Sequence, residues 1–144
     1  MHNSYDYREC KTVAVMSKKL EVGAALNAVA HLAVALGHNV GSKMMGRPIL
    51  VDAAGVSHVG ISKYPIIITR VKVSAVRRAI EAARVDENLT VVDFPNQMLE
   101  TGHDDELADS MAAVQESEIE YLGAMIYGPA DKVDAITSKF SLWR

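Results

Sequence analysis

Asn27 and His31 stand four residues apart in a stretch, residues 23–36, whose other side chains are apolar or glycine. On a helix that spacing puts one a turn above the other on a shared face. A histidine so placed can serve as a general base or hold a substrate carbonyl, and a neighbouring amide can fix its tautomer. The pair equally fits two polar groups that satisfy each other, or the backbone, inside the fold. A second candidate is the loop Gly41-Ser42-Lys43-Met44-Met45-Gly46-Arg47-Pro48. Two glycines followed by a base give it the outline of a phosphate loop. The template needs lysine and then serine or threonine, however, and Pro48 after Arg47 offers neither a hydroxyl nor a backbone N–H. The segment reads as a plain connection, or as a loop whose adaptable methionines close over a ligand with Lys43 and Arg47 as its basic contacts.

Other chemistry-bearing residues are less organised. His103, Asp104 and Asp105 are adjacent, while His38 and His58 are isolated, so zinc-type spacing is absent and neither metal nor cofactor is expected. Cys10 has no local motif. Arg70, Lys72, Arg77, Arg78 and Arg84 fall within fifteen residues. They suit either a phosphate backbone or a solvated helix face.

These residues need elements to position them. Thr12-Val13-Ala14-Val15-Met16 reads as a central strand after a polar arm, residues 1–10. The alanine- and leucine-rich run 23–36 favours a helix, closed by Gly37 and covered on most of its circumference. After the loop come a short strand at Ile49-Leu50-Val51-Asp52 and a weaker one around Val56 to Ile61. Residues 65–71, β-branched and continuous, give the strongest strand signal and predict burial on both faces. A helix capped by Ser74 runs to Arg84, with Arg77 four residues before Glu81. Residues 89–94 form a strand, the acidic start at Asp104 a helix, residues 121–127 the last strand, and Gly128-Pro129 opens a final helix. The alternation predicts an α/β sandwich: a mixed, mostly parallel four-stranded sheet flanked by helices.

The chain has 144 residues, which fits one domain spanning 1–144 with a sizeable core. With 49% hydrophobic and 23% charged residues, disorder, collagen-like repeats and coiled coil are excluded as the dominant organisation. One cysteine cannot form an internal disulfide, and the polar N-terminal stretch lacks the basic-then-apolar pattern of a secretory signal. No segment reaches the ~18 apolar residues of a membrane helix, so a cytoplasmic protein with no membrane partner is expected. Charge is uneven: residues 1–84 hold twelve basic and five acidic side chains, a balance of +7, and residues 85–144 hold three and thirteen, a balance of −10.

Both ends of the sequence resemble the type II peptidyl-tRNA hydrolase family. Lys11-Thr12-Val13-Ala14-Val15 is similar to its first strand, Leu20 and Gly23 to the entry of its alanine-rich helix, and His31, eight residues after the glycine, to its signature histidine. Residues 121–143, with Gly128-Pro129 in the middle, resemble its closing strand and helix. The resemblance implies that family's α/β fold, a tendency to dimerise, tRNA or a smaller acyl compound as ligand, and His31 with Asp93 as the catalytic pair. The chain departs from the pattern at the family's lysine, where it has Ala24, and at its glutamine, where it has Ala28. After Asp93 it reads Phe94-Pro95-Asn96-Gln97 instead of the Asp-Ala-Gly-Arg-Thr motif. An alanine in place of the lysine removes a cation that would orient phosphate or carbonyl. Two functions are thereby set against each other. One is a ligand-binding or regulatory protein lacking the full catalytic set; the other is a hydrolase of peptidyl-tRNA or a smaller acyl ester. Either is compatible with a homodimer built on an apolar sheet edge or helix.

Overall fold

The computed structural model describes residues 5–144; residues 1–4 of the expected polar arm lie outside the described residues. Strand β1 (Cys10–Ser17) alternates so that Val13 and Val15 join one apolar cluster and Ala14 and Met16 another. A strand buried on both faces needs no polar side, and this explains its continuous apolar reading. Helix α1 (Val22–Val40) follows and packs on the Ala14–Met16 side through Ala25, Ala28, Leu32 and Leu36. A short 3₁₀ turn (Gly41–Met44) leads into a two-stranded antiparallel ribbon of β2 (Ile49–Val51) and β3 (Ser57–Val59). Strand β4 (Ile66–Val71), helix α2 (Val73–Arg84) and strand β5 (Thr90–Pro95) come next. Two helices, α3 (Gln97–Glu100) and α4 (Asp104–Ala112), precede strand β6 (Tyr121–Pro129) and helix α5 (Ala130–Thr137).

The sheet order is β4-β1-β6-β5. Helices α2 and α5 cover the face opposite α1, with Val76, Ile80 and Val133 buried against Val13, Val15 and Ile126. The result is a single α/β domain of three layers around a mixed four-stranded sheet. The expectation of a mostly parallel sheet is corrected: only β1 and β4 pair in parallel, and β6 runs antiparallel to both neighbours. Strands β1, β4 and β5 do point the same way, because a helix carries the chain back before β4 and again before β5. Strand β6 enters from the opposite end and inserts between β1 and β5, turning both of those contacts antiparallel.

Three local expectations also change. Gly37 does not end α1; the helix runs three residues further and closes at Gly41, whose φ of 75° suits a residue without a Cβ. The strong apolar signal of β4 belongs to an edge strand. Its open side is closed by the C-terminal tail, where Arg70 N–H donates to the Ser141 carbonyl at 2.9 Å and Trp143 N–H to the Ile68 carbonyl at 3.0 Å. Helix α2 is entered at Lys72 without a side-chain cap from Ser74. Among the described residues, no helix is long and apolar enough to cross a membrane.

Candidate functional site

Helix α1 is expected to be covered on most of its circumference, and it is not. Only the stripe Ala25, Ala28, Leu32, Leu36 is buried, while Val22, Leu26 and Val34 stay more than half exposed. The opposite stripe carries Asn27 and His31 together with Ala30, Val34, Ala35 and His38. These six residues line one open depression of about 570 Å³. His31 is exposed, and its ring lies 6.5 Å from that of Phe94 at an interplanar angle of 53°. No hydrogen bond joins Asn27 to His31 among the described residues, so neither the tautomer-fixing nor the mutually satisfied buried arrangement is formed. His31 stands at the edge of a shallow, mostly apolar surface and is not sealed in the core.

The other residues singled out from the sequence lie elsewhere. Asp93 and Phe94 are neighbours on β5, so their side chains take opposite faces of the sheet. Phe94 joins the α1 layer, and Asp93 faces α2, where its Oδ2 accepts from Arg84 Nη2 at 3.0 Å. The same Nη2 donates to the Tyr121 hydroxyl at 3.1 Å. The sheet therefore separates Asp93 from His31, which corrects the pairing expected from the sequence. Lys43 sits in the 3₁₀ turn and Arg47 at the root of the ribbon, both exposed. The end of α1 at Val40 is roughly 14 Å along the axis from His31, and Lys43 lies beyond it. Neither basic residue lines the depression.

Three members of the basic cluster, Arg70, Arg77 and Arg84, are engaged within the fold, while Lys72 and Arg78 are exposed. Arg77 donates twice to Glu116, at 2.7 and 2.9 Å, and stacks on Tyr121, while Arg70 stacks on Trp143. Among the described residues, no group of three or more histidine, cysteine, aspartate or glutamate side chains is placed to hold a metal ion.

One polar cluster escapes sequence reasoning. Cys10, Thr12 and Tyr127 meet because Thr12 and Tyr127 are directly opposed across β1 and β6, with Cys10 two residues along the same face. The Tyr64 ring lies 6.3 Å from that of Tyr127. Only the strand register, 115 residues apart in sequence between Thr12 and Tyr127, brings them together. Burial above all, and then the hydrogen bond with the Cys10 thiol, push Tyr127 far above the ordinary tyrosine value. A raised folded-state pKa favours the neutral phenol in the native state. Its contribution is therefore complete below about pH 10, where the unfolded tyrosine begins to ionise, and is lost as pH climbs from there toward the folded value. Urea midpoints measured from neutral to strongly alkaline pH are expected to fall above about pH 10, and to fall less steeply in Tyr127→Phe. Identical slopes in the two proteins would show that Tyr127 does not control the decline.

Fold and surface together define a small three-layer α/β protein with an open, largely apolar helix face. Residues 10–144 match the family model described as protein of unknown function DUF2000, and the chain belongs to that family. Solved structures share the fold. One is a protein of unknown function from Agrobacterium tumefaciens strain C58, at 20% identity and a TM-score of 0.82, with 94% of this chain and 98% of that chain covered. No curated protein matches the chain significantly.

Proposed function

We propose that this is a binding protein on a fold resembling that of type II peptidyl-tRNA hydrolases, and that it works through the outer face of α1. The observation that carries the reading is the ion pair between Arg84 and Asp93 on the far side of the sheet from His31. A histidine base oriented by a carboxylate needs both that carboxylate and its substrate within hydrogen-bond reach. Here the one acid suggested for that role is engaged by a guanidinium, and the histidine faces an open, largely apolar depression with Asn27 and Val34 beside it. Ala24 and Ala28 remove the lysine and glutamine that the resembling family places on the same helix. What remains suits contact: apolar area for affinity, with an amide and two imidazoles for orientation.

The competing hydrolase reading makes a clear demand. If His31 is a catalytic base, His31→Ala should lower turnover of N-acetyl-aminoacyl-tRNA or p-nitrophenyl acetate by ~100-fold or more while leaving the circular dichroism spectrum unchanged. The binding reading expects no His31-dependent turnover of either ester. It also expects amide shifts confined to α1 when isotopically labelled protein is titrated with tRNA or aminoacyl nucleotides. Turnover that His31→Ala abolishes overturns it.

A further inference from the structure

The ribbon formed by β2 and β3 is well formed but bare among the described residues. Ile49 opposes Val59 across the ladder and Val51 lies two residues along, so these three share one face; His58, bonded to Asp52 at 2.9 Å, marks the other. An apolar face on a ribbon normally lies against the core. Here Ile49, Val51, Val59 and the adjoining Ile61 are 58 to 85% exposed. A two-stranded ribbon is at best marginally stable in water on its own, so a bare apolar face of this size calls for a covering layer. The same chain carries a second unpartnered surface. On the outer side of α1, Val22, Leu26 and Val34 are 61 to 75% exposed, and a Cβ added at Gly23 or Gly37 would meet nothing within 4 Å.

We infer that the two surfaces cover each other between two copies of this chain: across a two-fold axis, each ribbon lays its Ile49–Val51–Val59 face on the outer side of the partner's α1. Area supports this occupant. Fully covered, the four ribbon residues and the three on α1, at roughly 100 Å² apiece, amount to at most roughly 700 Å² per protomer, against the ~800 Å² per partner of a standard interface. Stacking ribbon on ribbon would bury little more than half as much and leave α1 bare. Exchange also meets the closure rule, since each copy gives one ribbon and receives one. The small side chains of the receiving line, Gly23 and Ala30, let a strand approach the helix backbone closely. This inference rests on the reading of α1 as a contact surface and names the partner of that surface.

Sedimentation equilibrium at low and high micromolar concentration tests it. The wild-type chain should reach twice its 15.6 kDa mass. Val59→Asp on the ribbon and Val34→Asp on α1 should each weaken association by ~10-fold or more, since either puts a charge into the contact. The decisive arm mixes the two variants, because ribbon and helix remain intact on different chains. Labelled Val59→Asp protein titrated with unlabelled Val34→Asp protein should show amide shifts along α1, and the reverse labelling should show them in residues 49–61. A monomeric wild type, a dimer that neither variant weakens, or a mixture without those shifts overturns the exchange. The binding reading fails separately, on His31-dependent ester turnover.

Discussion

Leu32→Ala is expected to lower the unfolding free energy by about 3 kcal/mol, whereas Val34→Ala, two residues on in the same helix, should change it by less than about 0.5 kcal/mol. Leu32 is 2% exposed and fills the layer between α1 and the sheet beside Met16, Phe94 and Met125. Truncating it removes buried methyl groups and leaves a cavity that a rigid sheet on one side cannot collapse into. Val34 faces out of the fold and makes no such layer, and alanine is the better helix former. Urea denaturation at low protein concentration keeps association out of the measurement. Equal losses at the two positions would mean that α1 is covered on both sides within one chain, and the contact surface proposed for it would not exist.

That contrast also shows where the sequence stops informing. Residues 23–36 are legible as a helix because alanine and leucine favour one and because no turn signal interrupts them. Which side is inward is not legible, since Leu26 and Val34 are as apolar as Leu32 and Leu36. A helix with apolar residues all round reads as buried, and here the surplus lies on the surface. The strands are found by their runs of β-branched residues, yet their order is not. Strand β6 is the last in sequence and sits second from the edge, and β4, with the strongest signal, is at the edge under the C-terminal tail. The candidate site suffers from the same gap. His31 is identified correctly as standing beside Asn27 on one helix face, but its pairing with Asp93 depends on which alternate residues of β5 face α1. One position of parity decides that, and Phe94, not Asp93, has it. Cys10 with Tyr127 is invisible for a related reason: only the ladder between β1 and β6 relates them.

The basic and acidic halves are joined by several ion pairs, Lys11–Asp134, Lys19–Glu120 and Arg84–Asp93 among them, and the one made by Arg77 of α2 predicts the second large effect. Arg77 reaches across from the basic half to the acidic one. Its guanidinium donates to both Glu116 carboxylate oxygens, to the Glu116 carbonyl at 3.1 Å and to the Ile119 carbonyl at 2.6 Å. It also lies over the Tyr121 ring, with its carbon 5.0 Å from the centroid. The paired carboxylate is the largest influence on this guanidinium and holds it charged. An exposed ion pair alone contributes under about 1 kcal/mol. The carbonyl bonds add more, because Ile119 is buried and its carbonyl loses a charged donor if Arg77 is removed. Arg77→Ala is therefore expected to cost about 2 to 3 kcal/mol and to loosen the turn at Glu116–Glu118 that leads into β6. Arg77→Lys should recover less than half of that, since one ammonium cannot span a carboxylate and two carbonyls as a planar fork does. Urea midpoints give the cost, and native-state hydrogen exchange at residues 115–120 locates it. A lysine variant as stable as wild type would show that the charge at residue 77, and not its planar fork, carries the contribution. An alanine variant that also matched wild type would show that the sheet and the pairs Lys11–Asp134, Lys19–Glu120 and Arg84–Asp93, not Arg77, hold the +7 and −10 segments together.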